Sequence, residues 1–105
     1  MGRMVIVAYR PREGRRSQLV ELVRGHVPAL RALGLATERP SVSMTAANGT
    51  IVEVFEWVSA SAVERAHTHE TIKTMWGKFA EVCEYEMLSN LPECQHPFSE
   101  FEPLD

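Results

Sequence analysis

Long apolar runs are missing from this chain. None approaches the ~20 residues that a membrane-spanning helix needs, and the opening MGRMVIVAYR holds only a short apolar stretch with no small-residue cleavage site. The expectation is a cytoplasmic protein with no membrane partner. Cysteine is scarce too. Cys83 and Cys94 form no Cys-x-x-Cys, which excludes a disulfide scaffold and leaves two free thiols. The histidines lack ligand spacing. His67 and His69 are two residues apart and point to different sides of a helix, with no third ligand nearby, so no metal is expected. Phosphate-cradling glycine loops, a dinucleotide fingerprint and a Ser-His-Asp order are all absent. So is a strong positive charge. The net charge is −3, and the basic cluster Arg10, Arg12, Arg15 and Arg16 has no interleaved aromatics to stack bases. No nucleic-acid partner is expected.

What is present is ordinary globular composition. The 105 residues are 45% hydrophobic and 24% charged, enough for one domain and not for two. Residues 1–105 are read as a single domain, with a core over about 4–88 and a tail over about 89–105. Charge is divided along the chain. Residues 1–39 hold eight arginines and three acids, and residues 40–105 hold three bases and eleven acids. Either two differently decorated faces or attraction between the chain's two ends accounts for this.

The first predicted strand is 4–10, with Val5, Val7 and Tyr9 on one face and Met4, Ile6 and Ala8 on the other. Both faces are apolar, so both need cover. A helix is expected over 17–33, because Leu19, Leu22, Val23, His26, Leu30 and Leu33 form a stripe at helical spacing. Pro28 inside it predicts a kink near Gly25. An extended run over 35–46, interrupted by Pro40, leads into Asn48-Gly49, a strong hairpin signal because both residues tolerate positive φ. The third strand, 50–58, puts Ile51, Glu53, Phe55 and Trp57 on one face. Ser59 or Ser61 caps a second helix, with a break expected at 68–71 and a second part carrying Ile72, Met75, Trp76, Phe79 and Cys83. A last strand is placed over 84–88. In the tail, Phe98, Phe101 and Leu104 need a docking surface, for which the Arg12–Arg16 turn is the complementary candidate.

Strand, helix, strand, strand, helix, strand is the split βαβ order. The expected fold is α+β: a ferredoxin-like βαββαβ protomer with an antiparallel sheet and helices on one face. A second copy of the chain is the simplest cover for the other face, which predicts a homodimer.

Residues 53–67 read EVFEWVSASAVERAH. An aromatic-and-acid strand, a small polar cap, an apolar helix start and then His67 resembles the antibiotic biosynthesis monooxygenase (ABM) family of the dimeric α/β barrels. The basic Pro/Gly turn after strand one and the Asn-Gly hairpin fit as well, and the resemblance covers about residues 4–88. It implies a homodimer whose two sheets form one barrel, with a pocket in each subunit between sheet and helices. It also implies a cofactor-independent monooxygenase acting on a small, hydrophobic, phenol- or quinol-like aromatic, in which the substrate carbanion itself reduces oxygen. His67 and Trp57 map near that pocket. The family's haem-degrading branch pairs a helix His with an Asn on strand one. Tyr9 stands near that place here, so no haem is expected.

The candidate catalytic residues are His67 and Glu53. An imidazole of ordinary pKa ~6.5 can accept a phenolic proton near neutral pH. A His hydrogen-bonded to a backbone carbonyl at the core edge would leave the same trace. Glu53 among apolar neighbours is either a base or one half of an ion pair with an arginine. Tyr9, Trp57, Trp76 and Phe79 are the candidate substrate contacts, and core packing is the competing account of each. The competing functions are a non-catalytic dimeric domain that binds a small ligand and a purely structural domain.

Overall fold

A computed structural model describes residues 2–105. Five strands form one antiparallel sheet: β1 (Arg3–Pro11), β2 (Val42–Thr45), β3 (Ile51–Trp57), β4 (Cys83–Glu86) and β5 (Glu102–Pro103), in the order β4-β1-β3-β2-β5. Three helices complete it: α1 (Arg16–Ala32), α2 (Ala60–Thr68) and α3 (Glu70–Val82). The architecture is α+β, and the order of the first four strands is compatible with a ferredoxin-like fold. Among the described residues no helix is long and apolar enough to cross a membrane.

β1 and β3 pair in the register Val5↔Phe55, Val7↔Glu53 and Tyr9↔Ile51. Opposed residues share a face, so Val5, Val7 and Tyr9 join Ile51, Glu53, Phe55 and Trp57 beneath the helices. Two clusters fill that space. Val27, Leu30, Phe55, Trp57, Ala66 and Ile72 pack towards one end. Tyr9, Leu19, Val23, Ile51, Phe79 and Cys83 pack towards the other. Cys83 acts as a small apolar group, its thiol donating to the Phe79 carbonyl at 3.1 Å. Burial pushes that thiol's pKa up, so it is not poised as a nucleophile.

Local chemistry departs from expectation in one place, the hairpin turn, and adds detail in two others. The extended run at 35–46 is interrupted around Pro40, as expected. Leu35 and Thr37 touch the end of β3 through Val58 N–H to Leu35 O (2.9 Å) and Thr37 N–H to Glu56 O (3.0 Å), and β2 begins only at Val42. Between them the chain leaves the sheet around Pro40, and Arg31 holds it there by donating to the carbonyls of Thr37 (2.7 Å) and Arg39 (2.6 Å). The hairpin turn is the departure. Gly49 has positive φ and Asn48 does not. Ala46 N–H bonds Thr50 O and Gly49 N–H bonds Ala46 O, which makes a three-residue loop closed by a glycine bulge in place of a two-residue Asn-Gly turn. α1 runs through Pro28 as a single helix, matching the expected span. The break in the second helical segment falls at His69, inside the expected window, and Ser59 caps α2 by accepting from Ala62 N–H at 3.2 Å.

The tail covers part of the outer sheet face. Leu91 is fully buried against Ala8, Ala46 and Val52, with Leu88, Cys94 and Phe101 packed around them. β5 then extends the sheet beside β2, Leu104 N–H bonds Ser43 O at 3.0 Å, and Arg24 meets Asp105 at 2.5 Å. The tail's end therefore docks on β2 and on the middle of α1, not on the Arg12–Arg16 turn. Phe98 does not dock and is 86% exposed. Beyond the tail's reach Met4, Ile6 and Val42 stay exposed on the outer face.

Deleting residues 101–105 removes β5, Phe101 and Leu104. We expect a loss of about 1–3 kcal/mol from exposed apolar surface, with roughly 4–8 °C of melting temperature per kcal/mol. A thermal melt identical to that of the full chain would show that the docked tail contributes nothing.

Candidate functional site

Glu53 stands at the centre of the sheet, on β3 between β1 and β2, and is 1% exposed. A carboxylate there has lost its water and must be solvated by the protein. Tyr9 lies diagonally across from it on β1, and the Tyr9 hydroxyl donates to Glu53 Oε1 at 2.8 Å. From the helix layer, His26 on α1 places Nδ1 at 2.9 Å from the same oxygen. The other ring nitrogen, His26 Nε2, accepts from the indole N–H of Trp76 on α3 at 3.1 Å. An indole only donates, so Nε2 carries the lone pair and Nδ1 the proton. The direction of the chain is thereby fixed: Trp76 to His26 to Glu53, with Tyr9 as second donor. Four elements are joined by three hydrogen bonds.

Burial, and next the neighbouring Glu53 charge, push the Tyr9 phenol far above its ordinary value. Tyr9 is therefore a fixed donor and not a base. Aromatic contacts back the polar chain. Phe79 stacks on Tyr9 with centroids 5.1 Å apart, and His26 meets Phe55 and Phe79 edge-on at 5.5 and 5.1 Å.

One side of this network opens into a cavity of about 280 Å³ between sheet and helices. Val5, Val7, Phe55 and Trp57 form its apolar floor, and Tyr9, His26, His67, Trp76 and Tyr85 complete the wall. Three larger hollows, of about 630, 640 and 400 Å³, lie by the β2–β3 hairpin, between α1 and α3, and between α1 and the β2–β5 edge. Charged side chains stand in the wall of each, and the three together hold one aromatic ring, that of Phe101. Chemistry, not size, singles out the smaller cavity.

The structure brings Tyr9, Trp57, Trp76 and His67 to that one space. Two expected residues are elsewhere. Glu53 does not line the cavity but stands behind Tyr9 and His26, and its partners are those two groups instead of an arginine. Phe79 is fully buried behind Tyr9 and does not reach the wall, because its position on α3 faces the packed layer with Val82 and Leu19. His67 has the carbonyl bond of a core-edge histidine, Nδ1 to Val63 O at 2.7 Å. Its ring also meets Trp76 edge-on at 5.1 Å. A carbonyl can only accept, so Nδ1 holds the proton and Nε2 keeps a lone pair. Among the described residues nothing hydrogen-bonds to that Nε2.

Two wall residues escaped the sequence reading. His26 lay on the apolar stripe of α1, and a histidine at a core position was the signal that its ring needs polar partners. Tyr85, which tilts against Tyr9 at 5.7 Å, carried no signal in the short β4. Among the described residues no three His, Cys, Asp or Glu side chains come together as a metal site.

Comparison with family models, curated proteins and solved structures returned no match.

Two outcomes follow from the buried carboxylate. Tyr9→Phe removes one donor to Glu53 and is expected to cost about 1–3 kcal/mol in urea unfolding; an unchanged midpoint would show that the bond is idle. The second outcome is alkaline. The folded Tyr9 pKa is raised, so its contribution is complete below the unfolded value near 10 and is lost as pH climbs above it. Cys83 and Tyr85 are also raised and share the decline. The diagnostic is therefore the difference: above pH ~10 stability should fall more steeply for the wild type than for Tyr9→Phe, by up to ~1.4 kcal/mol per pH unit. Parallel curves would exclude a Tyr9 contribution.

Proposed function

We propose that this chain is a small, cofactor-independent monooxygenase of the ABM type that oxidises a hydrophobic phenol- or quinol-like aromatic. The observation that carries the proposal is the composition of the cavity wall. Phe55, Trp57, Trp76, Tyr9 and Tyr85 surround about 280 Å³ of otherwise aliphatic space, with two imidazoles as the polar groups beside the phenols. That volume is just under the ~300–1,000 Å³ common for ligand sites and suits two or three fused rings.

The chemistry follows from such a substrate. His67 Nε2, with its lone pair set by the Val63 carbonyl, takes a proton from an activated ring CH₂. The resulting carbanion, delocalised as the phenolate or enolate, passes electrons to O₂ and bonds to it as a peroxide. The proton returns to the peroxide. Loss of the second C–H proton with hydroxide, as water, leaves the ring ketone. One oxygen atom ends in the product and one in water, and no external reductant is needed. The protein's part is a dry cavity, a hydrogen bond to the ring hydroxyl and a base.

The same proposal includes a homodimer. Met4 and Ile6 on β1, Val42 on β2 and Val54 on β3 share the outer face, and the tail leaves Met4, Ile6 and Val42 exposed. A second sheet laid on that patch gives the dimeric barrel of the resemblance. A second functional reading has one specific support: the bond of His67 to Val63 O is also what a purely structural histidine makes. Under that reading the cavity binds an aromatic ligand without turnover.

Oxygen uptake with an anthrone-type substrate separates the two. We expect turnover in the wild type and a fall of about 10²–10⁴-fold in His67→Ala, with an unchanged melt. Binding without oxygen uptake would leave the non-catalytic reading standing and overturn the enzyme. Light scattering after size exclusion tests the dimer, and a monomer at micromolar concentration would overturn the barrel.

A further inference from the structure

The indole N–H of Trp76 occupies the one free lone pair of His26, and both rings stand in the cavity wall. The other side of His26 is committed, since Nδ1–H is held by the buried Glu53 carboxylate, which Tyr9 also supports. A neutral imidazole with its proton held at Nδ1 presents Nε2 as a directional acceptor. Ordinary packing does not require this arrangement. A buried histidine could satisfy Nε2 with a backbone group deep in the core, whereas here the partner is a half-buried side chain on the cavity side. Trp76 is half-buried, and its neighbours include the exposed ring of His67.

We infer that His26 Nε2 is the docking atom for a hydroxyl group of the ligand, and that the Trp76 indole is its stand-in when the cavity is empty. The inference rests on the aromatic-ligand reading above and deepens it by naming the ligand's obligatory group. A phenolic O–H is a donor of the same kind as an indole N–H, and it replaces the Trp76 bond without leaving Nε2 unpaired. An aryl ether of the same shape has no donor and cannot make the exchange. Discrimination thus comes from a buried acceptor that must not be left empty, which rejects analogues lacking the donor more strongly than shape alone does. Glu53 and Tyr9 are positioning residues here. They hold the tautomer that keeps Nε2 an acceptor and touch no ligand. His67, on the α2 side of the cavity, remains free for the proton on carbon, so hydroxyl recognition and proton removal fall to different imidazoles.

The test uses 1-naphthol and 1-methoxynaphthalene as probes on the full chain. The two indole N–H resonances of the wild type are assigned by the loss of one in Trp76→Phe. On adding 1-naphthol, the Trp76 indole proton should move upfield as its hydrogen bond breaks, and 1-methoxynaphthalene should not produce that shift. Ring-current effects, common to both probes, cancel in the comparison. Trp76→Phe frees Nε2, so the ratio of naphthol to methoxynaphthalene affinity should rise by about 3–10-fold, the worth of one hydrogen bond. Equal indole shifts from both probes, or an unchanged affinity ratio in Trp76→Phe, would overturn the inference while leaving the aromatic pocket in place. Failure of both probes to bind at millimolar concentration would overturn the pocket and the inference together.

Discussion

A carboxylate on the central strand of a covered sheet sets the terms for everything near it. Glu53 is buried from solvent and, among the described residues, has no arginine partner, and an uncompensated charge in such a place costs several kcal/mol. The chain meets that demand with two donors from different layers, Tyr9 from the sheet and His26 from the helices. Trp76 then completes His26. Each partner is placed by a separate element, so the carboxylate fixes the registry of β1, β3, α1 and α3 at a single point. A slip of one residue in the β1–β3 ladder would turn Tyr9 to the outer face and strand the charge. Polar satisfaction and fold specificity are here the same contacts.

The remaining polar structure lies on the surface and resolves the uneven charge of the sequence. Arginines from residues 1–39 meet acids from residues 40–105 within one chain: Arg10 with Glu84 and Glu86, Arg12 with Glu84, Arg39 with Glu56, and Arg24 with Asp105. The pairs are mostly exposed, and each contributes little by itself. Their placement matters more than their strength. They line the seams where β4 joins β1, where the loop after α1 returns to β3, and where the last residue meets α1. Arg39 and Thr37 together hold the Glu56 carboxyl below the ordinary range, and their hydrogen bonds to it tie the Pro40 detour to β3.

Much of the architecture was legible in the sequence, because it depends on periodicity. The two-residue alternation of β1 and β3 and the three-and-four spacing of α1 and α3 each name a buried face directly. The rest depends on interactions that periodicity does not encode. The interruption of the 35–46 run was legible in Pro40, but not the anchor of the detour, Arg31 on a helix earlier in the chain, which donates to the Thr37 and Arg39 carbonyls. The Asn-Gly turn looked like a two-residue loop, and the flanking register converted it to a bulged one. The site was legible in part for the same reason. Tyr9, Trp57 and Trp76 lay on inward faces and stand around one cavity. His26 needed a third dimension, since its partners Glu53 and Trp76 are 27 and 50 residues away. Glu53 was recognised as a charge in an apolar place, but its partners could not be read from one strand.

Trp57 and Trp76 are the only tryptophans in the chain, and both stand in the wall of the same cavity. The protein's ultraviolet emission therefore arises wholly from that space. One indole has a phenylalanine ring beside it, with Phe55 and Trp57 centroids 5.2 Å apart. The other has an imidazole against it, an efficient quencher when protonated. Nature has put the chain's intrinsic fluorophores where a label would otherwise have to be attached, so occupancy of the cavity and the charge on its rim can be followed by light in the unmodified protein.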